Sequence, residues 1–169
     1  MALLLLLVAL AGVASLVGVS QSAAREARLQ TAVTVSAIQK IEQLRSLMWA
    51  FDEGVTVSDV STNLTVVPAR SDGRGLSVSP SGVLVKDTSG YVDYLDGKGA
   101  WLAAGPGIPP GAVYVRRWSV EALADDPAHT LVLRVFVTPV TRDGWAGASV
   151  RGNFPGQALL VTLLTRKAR

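Results

Sequence analysis

The chain begins with one long apolar run and continues into a segment with helical spacing of apolar residues. Residues 2–24 hold no charged side chain, and Arg25, Glu26 and Arg28 follow directly. No proline or glycine interrupts residues 25–53, so the pattern predicts one continuous helix of about 50 residues that ends at Gly54. The apolar positions of its second half recur in steps of three or four, at Leu29, Val33, Ala37, Ile41, Leu44, Met48 and Phe51.

Two interpretations of the apolar run stay open. A membrane-spanning helix needs about 20 apolar residues, and residues 2–24 reach that length. A removable secretion signal has a shorter apolar core behind a basic start, although Ser22, Ala23 and Ala24 offer small residues for a cleavage site. The helical spacing that continues past Arg25 favours the spanning helix, because a signal peptide would be followed by a loop.

Short strands and turns take over after Gly54. Residues 55–82 are interrupted by prolines and glycines and predict a long connecting loop. The segment "YVDYLDGKGAWL" predicts a hairpin, with its turn at residues 96–99. Three stronger strands follow in "AVYVRRWSVEAL", "HTLVLRVFVTPV" and "QALLVTLLTRK", and Pro139 is expected at a strand end or on an edge strand.

These elements predict an α+β fold, in which one long N-terminal helix packs on an antiparallel meander of about four strands. We divide the chain into a transmembrane half of the helix at 1–24, an amphipathic half at 25–53, and a loop and sheet head domain at 54–169. The high apolar fraction of 49% agrees with this division, since the excess lies in the first segment.

Candidate chemistry is sparse. The chain has no cysteine and a single histidine, His129, so a metal site would need carboxylates around that one ring. Asp93 and Asp96 precede a Gly-Lys-Gly turn, but their spacing does not match a calcium loop. Trp101, Trp118 and Trp145 are expected mostly in the core. We therefore expect no catalytic, cofactor-binding or metal-binding residues and no enzymatic activity.

Charge gives little reason to expect a nucleic-acid partner. The net charge is +3, but the basic residues are scattered. The densest group is Arg166, Lys167 and Arg169 at the end of the chain, which is typical of a solvated tail.

The order of these features resembles the type IV pilin superfamily. An apolar helix runs into an amphipathic one that ends in "AIQKIEQLRSL", and a loop and a small antiparallel sheet follow. The segment "QKIEQLRSL" is similar to the corresponding part of minor pilins and minor pseudopilins. The resemblance implies a pilin-like fold, anchorage in the bacterial inner membrane with a periplasmic head, and incorporation into a filament. Its implied partners are membrane lipid, other pilin or pseudopilin subunits and the pilus assembly machinery, with no cofactor.

Under this resemblance the helix has two surfaces with different roles. The assembly and membrane surface would consist of Leu3, Leu4, Leu5, Leu6, Leu7, Val8, Leu10, Val13, Leu16 and Val17. The helix would be fastened to the sheet by Leu29, Val33, Ile41, Leu44 and Met48. The alternative function is a secreted or membrane-tethered β-rich binding module with an ordinary signal sequence.

The start of the chain departs from the family pattern. Members begin with a short basic leader that ends in glycine, followed by a phenylalanine and then a glutamate. Here Met1 is followed directly by the apolar run, and the first acidic residue is Glu26. We expect either that the natural start lies upstream or that this chain is a divergent member. No cleavage or methylation site is therefore assigned to any residue.

Overall fold

One long helix packs on a single antiparallel sheet, as the α+β prediction requires. The computed structural model describes residues 2–47, 76, 78–140 and 156–165, with side chains from residue 15 onward. Helix α1 spans Ala2–Arg45. The strands are β1 (Val92–Leu95), β2 (Trp101–Ala104), β3 (Tyr114–Leu123), β4 (Asp126–Pro139) and β5 (Ala158–Thr165).

The helix ends earlier than predicted. Its last residue is Arg45, and the amide of Leu47 donates to the carbonyl of Leu44, 3.1 Å away. A bond to the third preceding residue tightens the last turn and ends the regular α-helix. The predicted end at Gly54 is therefore wrong. Of the loop predicted at residues 55–82, residues 55–75 and 77 lie outside the described residues, as do Met48, Phe51 and Trp145.

Within the described residues the sheet has five strands in the order β2-β1-β3-β4-β5, all antiparallel to their neighbours. The hairpin prediction is confirmed, since β1 pairs with β2. The predicted meander is wrong at one point, because β3 pairs with β1 and not with β2. The count of about four becomes five, as both short hairpin strands join the sheet. Pro139 is the last residue of β4, which confirms its expected place at a strand end.

The core lies between α1 and one face of the sheet. Residues of β3 and β4 alternate between the two faces, as strand geometry dictates. Trp118 and Val120 of β3, with Leu133 and Val135 of β4, face the helix and are fully buried. Trp118 meets the expectation of a core tryptophan, whereas Trp101 on β2 is 42% exposed. Helix α1 thus covers one face of the sheet and encloses the core between them.

Candidate assembly helix and its anchorage on the sheet

The described side chains at the N-terminal end of α1 lie in solvent. Every side chain from residue 15 to residue 31 is exposed, and burial on the sheet begins at the following turn. Leu16 is 70% exposed and Val19 is 66% exposed. Large aliphatic side chains at such exposure on consecutive turns are favourable only where lipid or another protein surface replaces water.

The structure describes the side chains of only two of the predicted assembly residues. Leu16 and Val17 are exposed and available for contacts. The remaining ones lie on the backbone of α1, but their side chains are outside the described set; they are Leu3, Leu4, Leu5, Leu6, Leu7, Val8, Leu10 and Val13. Among the residues whose side chains the structure describes, no helical segment is both long and apolar enough to cross a bilayer.

The C-terminal part of α1 is docked on the sheet through the predicted stripe. Val33, Ile41 and Leu44 are buried in the main apolar cluster together with residues of β3 and β4. Leu29 was assigned to the same stripe, but it is 48% exposed, so this assignment is wrong. Leu29 lies four residues before Val33 and shares its side of the helix, but at that point α1 has passed beyond the core. Met48 lies outside the described residues.

A buried ionic cluster joins the helix to the sheet. Asp93 of β1 binds two cations, Lys40 from α1 and Arg116 from β3. The Lys40 Nζ lies 3.0 Å from Oδ2 of Asp93, while Arg116 donates from Nε and Nη2 to the two carboxylate oxygens at 2.8 Å each. Arg116 Nη1 also donates to the main-chain carbonyl of Ser36, 2.9 Å away. One carboxylate thus ties three elements together.

Trp118 completes the surroundings of Lys40. The Nζ atom lies 3.9 Å from the centre of the Trp118 ring, a position that favours a cation over the face of the ring. Both side chains are fully buried. The pKa of Lys40 is lowered from 10.5 to about 8, mainly because burial disfavours the charged form; Asp93 opposes this shift, and the nearby Arg116 adds to it. The charge of this buried lysine therefore changes near pH 8.

A second ionic cluster lies on the opposite face of the sheet. Arg117 follows Arg116 along β3 and therefore points away from the helix. Its guanidinium binds Oδ1 of Asp87, at 2.6 Å from Nη2 and 2.8 Å from Nε. The Tyr94 hydroxyl donates to the other carboxylate oxygen at 3.1 Å. Burial and Asp87 raise the pKa of Tyr94 to about 12. The two adjacent arginines thus stabilise the two faces of the same sheet.

Gln30 lies at the N-terminal end of the docked part of α1. Its side-chain nitrogen donates to the carbonyl of Gln157 at 3.0 Å, and its side-chain oxygen accepts from the amide of Gly156 at 3.1 Å. Both partners directly precede β5. Beyond Gln30 toward the N-terminus, α1 continues without burial among the described residues.

The residues that sequence analysis examined for chemistry have structural roles here. Oδ1 of Asp96 accepts from the amides of Lys98 and Ala100 at 2.8 Å each, which closes the hairpin turn. His129 lies within β4, is 68% exposed, and contacts Asp126 at 2.9 Å. Neither arrangement brings together the ligands of a metal site, in the part of the chain that the structure describes.

Sequence analysis did not identify the buried cluster as a site. One signal for Lys40 was present: it lies three residues after Ala37, on the buried side of the helix, so its position predicts burial. The adjacent arginines within the apolar segment "YVRRW" were a second signal, since one of them must point inward in a strand. Asp93, the partner that Lys40 and Arg116 share, could not be found from spacing, because its pairing with Arg116 depends on the sheet register.

Comparison with known proteins found no matching family model, no similar curated protein and no similar solved structure. The function of this chain is therefore argued from its own residues.

Proposed function

We propose that this chain is a structural subunit of a type IV pilus or a related secretion pseudopilus. It would be anchored in the bacterial inner membrane and incorporated into a filament by packing of α1. The observation that supports this most is the division of α1 into a docked part and an exposed part, with every described side chain of residues 15–31 in solvent.

The physical argument begins with the exposed apolar side chains. Leu16, Val17 and Val19 lose the hydrophobic contribution of burial as long as water surrounds them. Lipid would remove that cost before assembly, and the helices of neighbouring subunits would remove it afterwards. Gly18 would let a neighbouring helix approach closely, as small residues do, since nothing in this chain lies within 4 Å of the place where its Cβ would be.

The docked part explains how the helix would carry the head. The apolar stripe and the Lys40–Asp93–Arg116 cluster hold α1 against the sheet with contacts from three elements. A head fastened in this way keeps a fixed orientation relative to the exposed helix. Packing of α1 in a filament would therefore set the position of the sheet as well.

The test is incorporation into filaments in the native host. Leu16→Lys places a charge on the exposed helix, and we expect it to lower the amount of this chain in sheared surface filaments strongly. Ile108→Lys is the matched control, because Ile108 is 53% exposed on a loop of the head. Equal incorporation of the two variants, or absence of the unaltered chain from both membranes and filaments, would contradict the proposal.

One observation favours the alternative binding module. A cleft of about 480 Å³ lies beside β3, between the segment Ser79–Val85 and the side chains of Ser119 and Glu121. Pro80 and Leu84 line it together with hydroxyl and carboxylate groups, so it would suit a small ligand with both apolar and polar parts. This function would hold for the chain if the head alone were released from cells and bound a ligand through that cleft.

A further inference from the structure

One peptide bond of the sheet joins an aspartate to a proline. Asp126–Pro127 is the only such bond in the sequence, and it lies at the start of β4. Leu123, the last residue of β3, pairs with Asp126, so only two residues form the turn between these strands. Proline nitrogen carries three carbon substituents and no hydrogen. Such a tertiary amide nitrogen accepts a proton more readily than an ordinary peptide nitrogen, and it is then a better leaving group.

Two side chains of β4 hold the carboxylate beside this bond. Nδ1 of His129 lies 2.9 Å from Oδ1 of Asp126, and the hydroxyl of Thr130 donates to Oδ2 at 2.8 Å. The pKa of Asp126 is lowered, mainly by the hydrogen bond from the His129 ring and then by the bond from Thr130. The carboxyl group is therefore kept in its ionised form, which is the form that acts as a nucleophile.

The nucleophile and its target belong to the same residue. A bond from a carboxylate oxygen of Asp126 to the main-chain carbonyl carbon of Asp126 would close a five-membered ring. Reactions within one residue avoid the entropic cost of bringing two molecules together, and they gain an effective concentration of about 10⁵–10⁸ M when the groups are well oriented. Water can also reach the site, because the Asp126 and His129 side chains are 43% and 68% exposed.

His129 supplies what the leaving nitrogen needs. Cleavage of an amide requires a proton on the nitrogen as the bond breaks, and a positioned acid can provide it. Histidine is the side chain that exchanges protons near neutral pH, and here its ring contacts the reacting carboxylate directly. Asp96 offers a contrast within the same sheet. Its carboxylate also closes a hairpin turn, but Gly97 follows it and only main-chain amides bind the oxygen at that turn.

We propose that the chain cleaves itself between Asp126 and Pro127. Oδ2 of Asp126 attacks the main-chain carbonyl carbon of the same residue, while Oδ1 becomes the carbonyl oxygen of a cyclic anhydride. The bond to the Pro127 nitrogen breaks, and this nitrogen takes the proton that the His129 ring delivers through Oδ1. One water molecule then opens the anhydride, which leaves two carboxyl groups on Asp126 and returns a proton to the ring.

The cut would leave the sheet in place. β4 pairs with β3 on one side and with β5 on the other, so the C-terminal piece stays bound through both strands. Cleavage at a turn removes only the connection between β3 and β4. The head would then consist of two chains, with a new amino terminus at Pro127. This inference goes beyond the proposed function and does not depend on the exposed helix.

Mass spectrometry of the purified full-length chain tests the cleavage. The protein is incubated folded in mild detergent at neutral pH, and samples are denatured before measurement. We expect fragments that end at residue 126 and begin at residue 127, at a rate independent of protein concentration. In hydroxylamine, the fragment that ends at Asp126 should carry a hydroxamate, because the anhydride reacts with this amine.

Three variants assign the roles of the residues. Asp126→Ala removes the nucleophile and should abolish cleavage. Asp125→Ala is the matched control, because Asp125 is an exposed aspartate of the same turn that does not precede proline, and its loss should leave the rate unchanged. His129→Gln removes the proton donor from an exposed position and should slow cleavage about 100-fold.

Each alternative outcome overturns the inference in a recognisable way. An unaltered chain that stays intact, as Asp126→Ala does, shows that the bond is inert. Cleavage at the same rate in urea shows an ordinary labile bond that owes nothing to the folded arrangement. Fragments that carry no hydroxamate in hydroxylamine indicate a contaminating protease. None of these results bears on incorporation into filaments, so the proposed function is tested separately.

Discussion

The ammonium nitrogen of Lys40 on α1 lies 3.0 Å from Oδ2 of Asp93 on β1, and neither side chain is exposed to solvent. This contact crosses the boundary between the helix and the sheet. Arg116 from β3 binds the same carboxylate, so the pair belongs to a cluster that joins three elements. Removal of charges from water costs much free energy, so loss of the one anion would leave two cations buried without a partner.

Removal of the shared carboxylate should therefore destabilise the protein strongly. Asp93→Asn keeps the shape of the side chain but leaves Lys40 and Arg116 buried without their common anion. We expect the free energy of unfolding to fall by about 3–5 kcal/mol. Urea unfolding of the full chain in mild detergent measures this change.

The control for that variant is an exposed ion pair on the same helix. Glu42 and Arg45 form a contact of 2.8 Å with both side chains at least half exposed. Glu42→Gln should change the free energy of unfolding by less than about 1 kcal/mol. A similar loss in both variants would contradict a structural role of the buried cluster.

The stability of the fold should rise with pH above about 8. Folding lowers the pKa of Lys40 from 10.5 to about 8, mainly because burial disfavours its charged form. Between these two values the unfolded chain binds more protons than the folded one, so the free energy of unfolding increases with pH. One proton allows a slope of at most about 1.4 kcal/mol per pH unit. Below pH 8 the full cost of burying the charge is present.

Lys40→Met identifies the group responsible for this slope. Methionine has a similar length and no charge, so the variant should lose the rise between pH 8 and pH 10. Measurements stop there because the pKa of Tyr94 is raised to about 12, and the ionisation of unfolded tyrosine above pH 10 lowers stability again. An unchanged slope in Lys40→Met would assign the effect to another group.

Packing of α1 on the sheet should depend on the buried stripe and not on the outer face. Leu44 is fully buried in the main cluster, and Leu44→Ala should cost about 2–5 kcal/mol through lost burial and a cavity. Ile38 is 47% exposed on the same helix, so Ile38→Ala should cost far less. Unfolding curves of the two variants provide the comparison, and equal losses would mean that the helix docks differently.

The hairpin turn supplies a test of backbone geometry. Gly99 has a φ of +81°, and a Cβ added there would lie 3.3 Å from Oγ of Ser36. Gly99→Ala should destabilise the fold by about 1 kcal/mol or more, since alanine rarely adopts such a φ. Gly97→Ala, two residues earlier, meets only an ordinary contact of 3.6 Å with Val113 and should be tolerated better. Differential scanning calorimetry can resolve the two variants.

Local patterns predicted the elements of this fold well and their ends and order less well. The spacing of Val33, Ile41 and Leu44 placed the docked helix face, because a helix repeats its faces regardless of what covers them. Leu29 obeyed the same spacing and is nonetheless exposed. Its burial depends on how far the sheet extends along the helix, and no local pattern reports that distance.

The ionic cluster shows the same limit. Lys40, Asp93 and Arg116 are distant in sequence and meet only because β1 pairs with β3 and α1 packs on these two strands. The order of strands was predicted as a meander, which would have separated β1 from β3. The sequence therefore contained the residues of the cluster, but it did not show that they contact one another.

The proposed function requires that the apolar N-terminal helix is retained and used for assembly. Membrane fractionation of the full-length protein from its native locus, with mass spectrometry of its mature N-terminus, tests this most directly. We expect a membrane-bound form that still contains the whole apolar run of residues 2–24. A soluble form that begins near Ala24 would contradict it, because the helix would then be a discarded signal.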